Sequence, residues 1–122
     1  MNPRYARAYY NRALAYYYQG NYDRAIADLT KAIELNPKDA EAYNNRGLAY
    51  DQQKNYDKAI DDFTRARLLN PKLADAYLNK AVSCERSGRQ AEAREAYTAF
   101  LRYAPPEAKD QIEQARSKIG RQ

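Results

Sequence analysis

Prolines 3, 37, 71 and 105 fall at intervals of 34 residues, and the residues between them keep step. Asn36-Pro37 and Asn70-Pro71 close two near-copies of one segment. Tyr9, Tyr43 and Tyr77 recur at the same spacing, as do Asn11, Asn45 and Asn79, and Ala25, Ala59 and Ala93. Self-similarity at a period of this length restricts the chain to a stacked solenoid, in which each unit contacts only its neighbours and the stack itself makes the working surface. The class of work this implies is binding.

A length of 122 residues fits one repeat domain, expected over 1–122 with units at about 4–37, 38–71 and 72–105 and a covering helix at about 106–119. Much of the apolar content is Ala and Tyr. Small Ala lets helices approach closely, and Tyr fills gaps while its hydroxyl reaches an edge. No apolar run approaches the roughly 20 residues that span a bilayer. Met1-Asn2-Pro3-Arg4-Tyr5 lacks the apolar core of a secretory signal. The first repeat starts almost at the N-terminus, as in a trimmed, mature or designed chain. The single cysteine, Cys84, permits no internal disulfide, so the fold does not depend on an oxidising compartment. The compartment stays open, with a soluble cytoplasmic chain as the expectation.

Helical spacing runs from Tyr5 to Gln19 through Ala6, Tyr9, Ala13, Tyr16 and Tyr17, and Gly20-Asn21 ends it. A second helix is expected over Tyr22–Leu35, with Ala25, Ile26, Leu29, Ala32 and Ile33 facing inward, stopped because the residue before Pro37 is pushed out of helical geometry. Asp39 is the expected N-cap of the next helix. The cycle repeats over Ala40–Gln53, Tyr56–Leu69, Ala74–Ser87 and Gln90–Tyr103. The second turn, Lys54-Asn55, has no glycine, so Asn55 is expected to take the left-handed conformation. After Pro105-Pro106 a narrow stripe of Ala108, Ile112, Ala115 and Ile119 predicts a seventh helix whose polar outer face solvates the end of the stack.

In the second copy Tyr43, Gly47, Tyr50, Tyr56, Ala59, Phe63, Ala66 and Pro71 carry a pattern that resembles the tetratricopeptide repeat family. The first copy matches with Tyr9, Ala13, Tyr16, Tyr22, Ala25, Leu29, Ala32 and Pro37. The third matches with Tyr77, Ala81, Ala93, Tyr97 and Pro105 and departs at Cys84 and Gln90. The resemblance implies an all-α, right-handed solenoid of three helix-turn-helix repeats, whose first helices line a groove that holds an extended peptide or helix of a partner. On that basis the groove comprises Arg7, Tyr10, Asn11, Leu14, Tyr17 and Tyr18, then Glu41, Asn44, Asn45, Leu48, Asp51 and Gln52, then Asp75, Leu78, Asn79, Val82, Glu85 and Arg86.

Three recurrent features carry two readings each. An amide offers a donor and an acceptor together, so Asn11, Asn45 and Asn79 either grip a peptide backbone or satisfy neighbouring helices. Tyr10, Leu14, Tyr17 and Tyr18 form an i, i+4, i+7, i+8 stripe that either anchors a partner or packs against another molecule. The other recurrent tyrosines sit at packing positions, and Cys84 takes a core slot that holds Tyr in the other copies. Arg12, Arg46 and Lys80 read as a structural ladder, their stems over apolar surface and their heads paired with Asp28 or Asp62, in preference to a phosphate site.

Other classes fall behind. The chain has no histidine for proton transfer, no glycine-rich phosphate loop and no partner for a Cys nucleophile, so no enzyme, cofactor or metal site is expected. The net charge of +5 raises nucleic acid. The groove residues, however, hold Arg7 and Arg86 against Glu41, Asp51, Asp75 and Glu85, the wrong sign for RNA. Some family members clamp the C-terminal carboxylate of chaperones with a basic residue set and two asparagines; at the matching positions this chain has Tyr10, Leu14, Asn45, Asp75 and Asn79, of which only Asn45 agrees, and Asp75 reverses a required charge. The expectation is a non-catalytic protein-interaction module. The alternatives are a scaffold that self-associates through its exposed first helix, or a designed, consensus-like chain with no ligand.

Overall fold

The structure, a computed structural model, describes residues 3–120; Met1, Asn2, Arg121 and Gln122, which belong to the expected 1–122 domain and N-terminal reading, lie outside the described residues. Seven helices follow in order: α1 (Pro3–Tyr18), α2 (Tyr22–Leu35), α3 (Ala40–Gln52), α4 (Tyr56–Leu69), α5 (Ala74–Arg86), α6 (Gln90–Tyr103) and α7 (Lys109–Gly120). Among the described residues there is no strand. The fold is an all-α helical solenoid.

Each helical hairpin closes in the same way. The N–H of Asn21 donates to the Tyr16 carbonyl at 2.9 Å, that of Asn55 to Tyr50 at 2.9 Å and that of Arg89 to Cys84 at 2.7 Å. A six-to-one bond of this kind needs a left-handed residue just before the donor. Gly20 (φ 79°), Lys54 (φ 63°) and Gly88 (φ 79°) supply it. The expectation for Asn55 is therefore corrected: Lys54 holds the left-handed position, and Asn55, in register with Asn21, precedes α4 with φ −89°. Between hairpins, Asn36 and Asn70 donate to the carbonyls of Ala32 and Ala66 at 2.8 and 2.9 Å, and the prolines then bar further helix. Asp39 caps α3 as expected, accepting from the Ala42 N–H at 3.2 Å.

Two helices start away from the expected residue. Proline fits the first helical position, whose N–H has no intrahelical partner, so α1 begins at Pro3 rather than Tyr5. Residues 106–108 form a turn, with the Ala108 N–H on the Pro105 carbonyl at 3.0 Å, so α7 begins at Lys109 rather than near 106. The helices expected to end at Gln19, Gln53 and Ser87 each stop one residue sooner, where the turn hydrogen bonds take over.

Within each pair the helices meet through alanine and one large side chain. Ala13 packs with Leu29, Gly47 with Phe63, and Ala81 in the cluster of Tyr97 and Phe100. Cys84 is fully buried in that last cluster, and burial pushes its thiol pKa up. Each second helix also packs on the first helix of the next pair, while α7 covers α6 through the buried Ala115 and the half-buried Ile112 and Ile119. The first helices touch one another (α1 with α3, α3 with α5), whereas α2, α4 and α6 do not. A stack whose members converge on one side curves toward that side, so α1, α3 and α5 line its inner surface.

Candidate functional site

The inner surface is built by translation. A first-helix residue and the residue 35 positions later face each other across every repeat junction. Asn45 Nδ2 donates to the Tyr10 hydroxyl at 2.8 Å, and Asn79 Nδ2 donates to Asn44 Oδ1 at 3.1 Å. A second row lies one turn further on: Tyr17 hydrogen-bonds Gln52, and Arg86 donates to Asp51. Ser83 Oγ also donates to Asp51 Oδ1, at 2.7 Å, so this buried carboxylate is held from two sides. Burial, then the Glu41 carboxylate, push the Tyr10 pKa up; burial does the same to Tyr17.

The asparagine series thus divides. Asn45 and Asn79 each spend one N–H on the preceding repeat and keep an acceptor and a second donor for another group. Asn11 is exposed. The satisfaction of neighbouring helices and the gripping of a ligand are compatible for this residue type, because one amide has four hydrogen-bonding positions and the neighbour takes one.

The structure brings Tyr10, Leu14, Tyr18, Glu41, Asn44, Asn45 and Asp75 around one depression of about 250 Å³. Leu73 completes its wall. Sequence reading did not select Leu73, because its position matches Asp39, a helix cap. With Leu there, no side chain caps α5, and the residue is left half-buried at the depression's edge. Arg7 and Asn11 are exposed beside this depression's helices; Leu48, Asn79 and Val82 are half-buried further along the same surface. Tyr17 does not line this depression; its ring lies 5.4 Å from that of Tyr22 and 5.6 Å from that of Tyr18 in edge-to-face contact.

Charge pairing decides what the surface offers. Arg86 is bound to Asp51, and Lys118 of α7 reaches Glu85 at 2.8 Å. Tyr97 donates to the same Glu85 at 2.5 Å. Glu41 accepts from the Tyr10 hydroxyl at 3.5 Å, and among the described residues neither Glu41 nor Asp75 has an ion pair; both are exposed. The unspent charge on the depression is acidic.

The arginine ladder stands outside the groove. Arg12 Nε and Nη2 donate to Asp28 at 2.7 Å each, and Arg46 grips Asp62 at 2.8 and 2.9 Å, in the two-pronged geometry that guanidinium favours. The Arg46 guanidinium also lies 5.5 Å from the Tyr43 ring centroid and 5.9 Å from that of Tyr50. Lys80 has no such carboxylate, because Ala96 stands where the other copies have Asp28 and Asp62. Burial pushes the Asp62 pKa up despite Arg46. No group of three or more His, Cys, Asp or Glu residues that would hold a metal occurs among the described residues. Nor does any helix there have the length and apolarity to cross a membrane.

The model of the tetratricopeptide repeat matches residues 1–27, 10–69 and 55–109. No curated protein matches. Among solved structures, the second such domain of human RPAP3, determined in complex with the HSP70 peptide SGPTIEEVD, is 26% identical with a TM-score of 0.88, covering 99% of this chain and 100% of that one. The domain of Arabidopsis OM64 is 26% identical with a TM-score of 0.86, covering 98% and 100%. The first domain of Spaghetti (RPAP3), bound to the HSP90 peptide SRMEEVD, is 25% identical with a TM-score of 0.85, covering 98% and 96%.

Proposed function

The chain belongs to the tetratricopeptide repeat family, and from that premise we propose that it is a non-catalytic protein–protein interaction module holding an extended segment of a partner against α1, α3 and α5. The observation that carries the proposal is the depression at the α1–α3–α5 junction, where half-satisfied amides stand beside the apolar Leu14 and Leu73. Asn44, Asn45 and Asn79 hold the ligand's backbone, and Tyr10, Leu14 and Leu73 take an apolar side chain. Similar folds solved with peptides support the mode of binding.

Those peptides end in acidic residues, and this chain favours the opposite charge. Glu41 and Asp75 repel an acidic tail and attract Lys or Arg, so the preferred ligand is a basic segment with one aliphatic or aromatic residue. So short a surface gives an affinity on the order of micromolar. A peptide array probed with the protein and with the exposed double variant Glu41→Lys/Asp75→Lys tests this. Hits are expected to be basic and to weaken about tenfold or more in the variant. Acidic hits, or basic hits indifferent to the two reversals, contradict it.

A further inference from the structure

The arginine ladder breaks in the third repeat. In the first two repeats a guanidinium on the first helix grips a buried carboxylate on the second, Arg12 on Asp28 and Arg46 on Asp62. The same register gives the third repeat Lys80 and Ala96. There a cavity of about 200 Å³ lies between α4, α5 and α6, floored by Tyr77, Ala96 and Ala99 and entered by the half-buried side chains of Lys80 and Arg67. The matching hollow of the second repeat, about 520 Å³, is lined by Tyr43, Arg46 and Asp62 among others, so its ladder cation is neutralised from within. Lys80 and Arg67 are not. Among the described residues neither has an ion pair, and Lys80 lacks the bond, 3.2 Å long, that Arg46 makes to Thr30 of the preceding hairpin. A cation in such part-dry surroundings attracts an anion more strongly than one in open water.

We propose that this hollow is a carboxylate-binding site, in which an incoming carboxylate takes the place that Asp28 and Asp62 fill in the other repeats. Lys80 and Arg67 donate hydrogen bonds to it, and the carbons behind it lie on Ala96, Ala99 and the ring of Tyr77. Glu92 and Glu95 line the same hollow from the exposed edge of α6. They oppose a second negative charge, so the site prefers a monocarboxylate with a short apolar body to a dicarboxylate or a phosphate. The same two acids compete for Lys80, which keeps the affinity low. A free organic acid and a glutamate side chain of a partner offer this chemistry alike. The ladder stands outside the groove of α1, α3 and α5, so the site is independent of the peptide reading.

Amide NMR shifts of the isotope-labelled protein, titrated with sodium butyrate against sodium chloride at equal ionic strength, test this. Saturable shifts centred on Tyr77, Lys80, Ala96 and Ala99 are expected, with a dissociation constant on the order of millimolar. Succinate is expected to bind about threefold or more weakly than butyrate. Lys80→Gln, which leaves the core untouched, should weaken butyrate about fivefold or more, and Glu92→Gln/Glu95→Gln should tighten it about threefold. The double variant Lys80→Arg/Ala96→Asp rewrites the pair of the second repeat and should no longer bind butyrate. The capped glutamate N-acetylglutamic acid α-amide, titrated in the same way, separates the sources. Tighter binding than butyrate assigns the site to a partner's side chain and weaker binding to a free acid, and both uphold a carboxylate site. Shifts that sodium chloride reproduces overturn the proposal, as does butyrate binding that Lys80→Gln leaves unmoved. Binding that survives in the rewritten pair, or succinate bound more tightly than butyrate, overturns it equally.

Discussion

At the scale of the residue, the three helix pairs solve one packing problem with different volumes. Position 47 is glycine where the other copies have Ala13 and Ala81, and it faces Phe63 where the first pair has Leu29. A β-carbon on Gly47 would sit 2.6 Å from the Phe63 ring. Gly47→Ala should therefore destabilise the protein by about 1–2 kcal/mol, the overpacking cost exceeding the gain of about 1 kcal/mol in helix propensity. Adding Phe63→Leu recreates the Ala13–Leu29 pair and should recover part of the loss in urea unfolding. The arginine ladder gives a second residue-scale expectation. Arg46→Ala leaves the buried Asp62 unpaired and should cost about 3 kcal/mol, whereas Arg12→Ala should cost less, because water can replace its exposed guanidinium at the equally buried Asp28. Thermal unfolding of the two variants side by side checks the order. The pairing of Arg12 and Arg46 with Asp28 and Asp62 was legible in the sequence because both partners recur at the repeat period. The left-handed Lys54 was not, since Asn is the residue that usually takes that conformation, and only register against Gly20 and Gly88 points one position earlier.

At the scale of the element, α7 occupies the place a fourth first helix would take, and Glu85 joins it to the stack. Lys118 and the Tyr97 hydroxyl converge on that carboxylate. Burial and then the hydrogen bond to Glu85 hold the Tyr97 phenol above its ordinary value of 10.0. A group raised in the folded state contributes its full stability below the unfolded value and loses it as pH climbs toward the folded one. Stability should therefore fall as pH rises above about 10, and Tyr97→Phe should flatten that decline. Urea midpoints of both proteins across the range measure it. The helices themselves were legible because apolar periodicity and the Asn-Pro stops agree. The start of α7 was not: two adjacent prolines announce a break, but the turn over 106–108 depends on a backbone hydrogen bond that no residue type specifies. The links between residues 35 apart were equally hidden, because a repeat shows which residues correspond and not which of them touch.

At the scale of the whole molecule, the same repetition that builds the stack determines what it presents. Each junction consumes part of a polar row, and the remainder faces the inner side as amides, two leucines and two acidic side chains without an ion pair among the described residues. Sequence register alone gave most of that wall, since the first helices must line it if the solenoid curves inward. It missed Leu73, whose place in the register is a cap, and it did not show that the Tyr17 ring also packs against Tyr22. The central claim is that this wall binds peptide of basic charge. The most direct test is isothermal titration of the protein with two peptides of equal length, one carrying lysines around a central leucine and one ending in the acidic sequence IEEVD. Micromolar binding of the basic peptide, weakened about tenfold or more by Glu41→Lys/Asp75→Lys, is the predicted result. Tighter binding of the acidic peptide, or no heat with either, would contradict it.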